Sequence, residues 1–208
     1  MQVDSIDQRG TTGGRACVSF ADGSSFFVSA ELVAGLELAP GVECSEETIE
    51  QLRHAHLLLE AREKALELLA RREHSRFLLA RKLLLRQFGD DVVERCLDRL
   101  SAEGLLDDRR FAEQWVISRV RRRPEGEHAL VAGLQARGVH GDTAREVVEA
   151  FRREYPEEMD RALERAGGRI CRQFGGDSGI VREKLHRRGF RRDEIDRYVE
   201  RISADEPK

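Results

Sequence analysis

Three stretches of this chain align without a gap at a spacing of 51 residues, and nothing else in the sequence restricts the fold so tightly. "KLLLRQFGDDVVERCLDRL" from Lys82 lies above "GLQARGVHGDTAREVVEAF" from Gly133 and "KLHRRGFRRDEIDRYVERI" from Lys184. The first and third share seven identities, among them Lys82/Lys184, Phe88/Phe190, Asp91/Asp193 and Arg99/Arg201. Chance gives about one or two in so short and Arg-rich a window. The apolar columns are stronger still. Val93, Cys96, Leu97 and Leu100 are matched by Ala144, Val147, Val148 and Phe151, then by Ile195, Tyr198, Val199 and Ile202. Each set has the i, i+3, i+4, i+7 spacing of one helix face. Asp91, Asp142 and Asp193 share a column at the helix start, where a carboxylate can cap free N–H groups and favour the helix dipole.

Each repeat therefore reads as three helices, near 56–72, 76–87 and 91–103, then 108–122, 126–137 and 142–154, then 158–173, 178–188 and 193–203. Gly138 and Gly189 end the middle helices of the second and third repeats, where a left-handed residue is cheap for glycine. Three short helices bury little alone, so neighbouring repeats should stack. The expected fold is mostly α, an elongated curved array of three tandem three-helix repeats. Its expected divisions are 51–105, 106–155 and 156–208, behind an N-terminal β-type segment, 1–50. In that segment "RACVSF" and "SFFVSAELV" are β-type runs on either side of "ADGS", a hairpin signal. A Pro40-Gly41 turn and Ser45 as a helix N-cap follow.

Where the repeats join, "SAEGLLDDRRFAEQW" packs several signals together. Gly104 stops one repeat, Leu105 and Leu106 are placed to pack into the junction, and Asp107 and Asp108 open the next helix ahead of Phe111. Two adjacent carboxylates at a helix start diverge, which is poor geometry for a catalytic dyad or a metal site.

The charge is uneven. The whole chain carries −3, yet residues 1–60 hold three basic side chains against ten acidic ones. An acidic head thus precedes a mildly basic body. Only four of the 36 basic residues are lysine. Arginine suits two-pronged contacts with carboxylate or phosphate, although GC-rich coding gives the same bias. Cys17, Cys44, Cys96 and Cys171 are far apart and form no CxxC, which suggests reduced, packed thiols of a cytoplasmic protein. The first ten residues are unlike a signal peptide, and no apolar run is long enough to span a membrane.

The search for chemistry is negative. The chain has no GxGxxG, GxxxxGK[ST], HExxH or GxSxG motif. His54 and His56 diverge on a helix, and His74, His128, His140 and His186 read as solvated or capping side chains. No catalytic residue, metal or cofactor is expected. Gly167 and Gly168 fall inside a helix, which points to close packing. Arginine does recur. Arg71 and Arg72, then Arg121, Arg122 and Arg123, end the first helices of two repeats, while Arg187 and Arg188 flank a turn of the third. Cations there complement helix dipoles, but together they would also form a stripe for phosphate or an acidic protein groove. Trp115 aligns with Lys64 and Ala166 in the sister repeats, so the repeated core does not need it and it belongs to a junction or to a partner interface.

The run "SRFLLARKLLLRQFGDDVVERCLDRLSAEGLLDDRRFAEQWVISRV", with "LQARGV" beyond it, resembles the RecX family, bacterial regulators of the RecA recombinase. The pieces that carry the likeness are Ser75, "ARKLL", "LDRLSAEGLLDDRRFAEQW" and "LQARGV". Gln87-Phe88-Gly89 departs from the lysine-glycine turn usual there, and "GGRICRQFGGDSG" is unusually glycine-rich. The resemblance implies a non-enzymatic, cytoplasmic protein of DNA repair, recombination and the SOS response. It implies binding along the groove of the RecA–DNA filament, with suppression of ATPase, strand exchange and coprotease activities. A monomer is expected, with single- or double-stranded DNA as a further contact. Two other readings stand beside it: a sequence-tolerant DNA-binding protein, and a helical-repeat scaffold for an unrelated partner.

Overall fold

A computed structural model describes residues 1–9 and 14–204, apart from the side chains of Gln8 and Arg9. The last four residues of the third repeat lie outside it. The chain is mostly helical. Strands β1 (Val3–Arg9), β2 (Arg15–Phe20) and β3 (Ser25–Ser29) precede helices α1 (Ala30–Gly35), α2 (Glu46–Arg71), α3 (Arg76–Leu84) and α4 (Asp90–Ala102). Then come α5 (Asp108–Arg122), α6 (Glu127–Gln135), α7 (Gly141–Glu154), α8 (Pro156–Phe174), α9 (Ser178–Arg187) and α10 (Arg192–Ala204). Contacts divide the chain into two compact units. One comprises Met1–Arg72 and Leu79–Leu105; the other comprises Glu73–Leu78 and everything from Leu106.

In the first unit the three strands form an antiparallel sheet in the order β1-β2-β3. Ala16, Val18 and Phe20 alternate inward along β2, onto a core shared with Val28, Val33, Leu38, Ile49 and Leu52. The Asp-Gly turn forms as the sequence indicates. Gly23 takes φ +84°, and Asp22 accepts bonds from the Ser24 amide at 3.0 Å and hydroxyl at 2.7 Å. Gly41, at φ +90°, donates its amide to Val3 O at 2.8 Å, which closes the Pro-Gly turn onto β1.

Two local expectations are corrected, and one strand is added. β1 is a strand that the polar "VDSIDQR" hides. A bulge between Val3 and Ser5 shifts the register, so its two core-facing residues, Val3 and Ile6, lie three apart and the period-two signal is lost. The run "SFFVSAELV" is only half strand, because the Ser29 hydroxyl accepts from the Leu32 amide at 3.2 Å and turns the chain into α1. The first helix of the first repeat does not begin near residue 56. It is continuous from the Ser45 cap as the 26-residue α2. Ile49 and Leu52 cover the sheet, and Leu58, Ala61, Ala65 and Leu68 continue the buried stripe.

The second unit holds one continuous core. Phe111, Val116, Val120, Leu130 and Leu134 join Val147, Val148, Leu163, Ile170, Leu185, Phe190 and Tyr198. Gly167 lies where an added Cβ would sit 2.3 Å from the Tyr198 ring, so the glycine inside α8 is what admits that aromatic. Asp91, Asp142 and Asp193 all stand within the first helical turn rather than at the cap. Their contribution is to the dipole, while His140 serves as the α7 cap by accepting from the Asp142 amide. His74, expected in solvent, is 2% exposed.

Candidate functional site

The 51-residue period is also a contact period. Ser75 Oγ donates to Arg137 O at 2.5 Å, and 51 residues on, Gly126 N donates to Arg188 O at 2.9 Å. In each case the start of a middle helix meets the glycine turn that ends the next middle helix. Gly138 and Gly189 occupy those turns at φ +80° and +79°. A Cβ on Gly138 would lie 2.2 Å from Phe77 Cβ, and one on Gly189 would lie 2.3 Å from Ala129 N. Gly126 is equally confined, with Phe190 backbone 2.3 Å from its virtual Cβ. Two surfaces approach here with no room for a side chain.

The leucine–aspartate stretch feeds the same region. Asp107 caps α5, accepting from the amides of Arg109 at 2.8 Å and Arg110 at 3.1 Å. Asp108, the next residue, turns its carboxylate to the amide of Arg76 at 2.7 Å, the first residue of α3. Adjacent carboxylates thus cap two different helices. Arg110 pairs with Glu73 at 2.7 Å. Leu106 is 4% exposed and Phe111 6%, whereas Leu105 is 40% exposed.

The arginines sit where the repeat places them. Arg71 ends α2 and Arg72 is its C-cap, both exposed in the first unit. Arg121 and Arg122 end α5 and Arg123 is its C-cap, all exposed in the second unit. Arg187 ends α9, and Arg188 follows it as C-cap. Within the second unit the bonds Gly126 N to Arg188 O and His128 N to Gly189 O (3.1 Å) bring the segment after Arg123 against the Arg187–Arg188 turn. Arg165 adds a further cation at the C-terminal end of α5, donating to Val120 O at 3.0 Å.

Their electrostatics differ. Glu125 takes both Arg119, through a two-pronged contact at 2.7 and 2.9 Å, and Arg123 at 3.5 Å. Arg187 pairs with Glu183 at 3.4 Å. Among the described residues, Arg71, Arg121, Arg122 and Arg188 have no carboxylate within 4.0 Å. Positive charge is therefore left over at helix C-termini beyond what internal pairing absorbs. Trp115 lies over Gly133, where an added Cβ would meet the ring at 2.5 Å. Arg137 stands 4.8 Å and Arg119 5.5 Å from its ring centre, so the indole is held inside the second repeat by two cations.

The description "RecX, first three-helix domain" matches residues 61–100, and "RecX, second three-helix domain" matches residues 107–148. The protein named "Regulatory protein RecX" from Halorhodospira halophila is 37% identical over 134 residues, which span 64% of this chain and 83% of that protein. This chain belongs to the RecX family. Regulatory protein RecX of Mycobacterium tuberculosis is likewise 37% identical over 129 residues, 62% of this chain and 73% of its own length. The Mycobacterium leprae protein is 42% identical over 106 residues, 49% and 62% respectively. The fold is shared with a crystal structure of regulatory protein RecX (TM-score 0.76, 18% identity, 94% of this chain and 97% of that one). It is shared as well with RecX from Lactobacillus salivarius (TM-score 0.61, 16% identity, 71% and 97%). RecX membership makes the chain one of a family of regulatory proteins. No helix of its described residues is long and apolar enough to cross a membrane.

Proposed function

We propose that this RecX-family chain regulates the RecA recombinase without chemistry of its own. It binds along the RecA–DNA filament in the cytoplasm, as a monomer, and suppresses ATP hydrolysis, strand exchange and coprotease activity. Its role lies in DNA repair, recombination and the SOS response. Repeats 51–105, 106–155 and 156–208 are the binding modules, the first of them continuous with segment 1–50 through α2. The observation that supports this reading is the excess, among the described residues, of guanidinium groups without a carboxylate partner at helix C-termini: Arg71, Arg121 and Arg122 at the ends of two first helices, and Arg188 after a middle helix. A polymer of repeating acidic or phosphate surface is the partner such a recurrence fits.

The test is DNA-dependent ATP hydrolysis by RecA with the protein titrated in at two salt concentrations, beside binding to bare single-stranded DNA. Regulation predicts loss of hydrolysis at protein levels too low to coat the DNA. Loss only at DNA saturation would instead favour a sequence-tolerant DNA-binding protein. No effect on either would leave a scaffold for another partner.

A further inference from the structure

The repeated joint is left half-made at both ends of the series. Its acceptor is the carbonyl of Arg137 or Arg188, and the same column of the first repeat holds Arg86. Its donor column is Ser75, then Gly126, then Asp177 in the third repeat. Burial separates the filled halves from the open ones. Ser75 and Gly126 are buried, whereas Asp177 is exposed. Val139 and Phe190, each just past the glycine of a filled turn, are 3% and 1% exposed, whereas Phe88 in their column is only half-buried. Among the described residues, Arg86 O receives no main-chain amide and Asp177 N meets no main-chain carbonyl.

The two open halves match each other. Gln87 keeps the left-handed backbone of Gly138 and Gly189, so the first turn has the shape of its sisters plus one side chain. In the filled joint that side chain has no room, because a Cβ on Gly138 would meet Phe77 at 2.2 Å. The column of Phe77 holds Gly179 in the third repeat, exposed and with nothing to meet Gln87. Beside Gly179 a hollow of about 280 Å³, lined by Gly175, Gly176, Asp177, Ser178, Ile202 and Ser203, has space for a carboxamide. Ser75 shows that the donor column tolerates a side chain, so Asp177 is no obstacle. Leu84 and Leu85 flank the open turn, 40% and 79% exposed, where the sister columns hold Gln135 and Ala136, then His186 and Arg187. A terminal repeat that ends in water needs a polar outer face, and this turn carries an apolar one.

We propose that the first-repeat turn of one molecule docks on the α9 start of a second copy, so that the joint made twice within the chain recurs between chains. Asp177 N and Gly179 N donate to Arg86 O and Gln87 O, as Gly126 N and His128 N donate to Arg188 O and Gly189 O. The contact is heterologous, since each copy offers two different surfaces. It engages far fewer than the roughly 20–30 residues a side of a stable interface, so the dilute chain is a monomer. On the filament reading above, copies held on one polymer are close enough together for the joint to form.

The experiment uses the full-length chain alone, so its outcome is separate from any effect on RecA. Sedimentation from about 10 μM to 1 mM should show a mass that grows past the dimer, with a dissociation constant on the order of 0.1–1 mM. Leu85→Glu/Arg86→Glu spoils the turn and Gly179→Phe spoils the helix start. All three positions are exposed, and both variants should keep the parent's circular dichroism. Each variant alone should stay monomeric. Mixed, they retain one intact half apiece and should form a heterodimer and nothing larger. A parent chain that stays monomeric throughout would overturn the proposal. So would growth that stops at a dimer, a variant that still associates with itself, or a mixture that does not pair.

Discussion

At the scale of single residues, the repeat exposes one conformational debt. Gln87 occupies the column of Gly138 and Gly189, and it keeps their left-handed backbone, at φ +66°. A residue with a Cβ loses roughly 1–2 kcal/mol in that conformation. Gln87→Gly is therefore expected to stabilise the chain by about 0.5–1 kcal/mol, after glycine's own entropy cost, as a higher urea midpoint. Gly138→Ala should do the opposite and more strongly, since Phe77 fills the space its Cβ needs. Tyr198 sets a second residue-level expectation. Burial first, then the neighbouring Cys171 thiol, pushes its phenol up to about 12 from 10.0. The folded chain thus holds that proton where the unfolded chain has released it. Stability should be full below pH 10 and fall as pH rises toward 12. Tyr198→Phe should flatten that alkaline loss in melts recorded across the interval.

At the scale of elements, the helix boundaries were legible because caps, glycines and apolar columns agreed. The helices from α3 to α10 follow from the 51-residue alignment to within a few residues. What the alignment could not carry was anything used once. β1 lost its alternation to a bulge, and α1 looks like a strand until Ser29 turns it. The arginine positions could be placed on helix ends from sequence, but their pairing states could not, because these depend on partners such as Glu125 and Glu183. A cavity of about 630 Å³ in the first unit gave no sequence signal, since its walls come from four separate elements. The division of labour between Asp107 and Asp108 was equally hidden, because neighbouring residues serve helices far apart in the chain. It makes a separable prediction. Asp107→Ala should cost about 1 kcal/mol and speed amide exchange at Arg109 and Arg110. Asp108→Ala should cost a similar amount but speed exchange at Arg76 instead.

At the scale of the whole molecule, function and stability should separate at the arginines. Exposed charges contribute little to folding, so replacing Arg71, Arg72, Arg121, Arg122 and Arg123 by alanine should shift the unfolding free energy by no more than about 1–2 kcal/mol. The same variant should lose most of its suppression of RecA ATP hydrolysis, and the remainder should depend less on salt. Retained suppression with unchanged salt dependence would remove these side chains from the interface.

The joint at Arg137 and Arg188 has an evolutionary corollary. In both, the accepting group is a main-chain carbonyl, and the turn beside it is a glycine whose missing side chain is its qualification. One donor is the Ser75 hydroxyl and the other the Gly126 amide, so each joint fixes a small residue ahead of one middle helix and a glycine after the next. Substitution can thus run freely over the rest of a repeat while these few small residues stay under constraint.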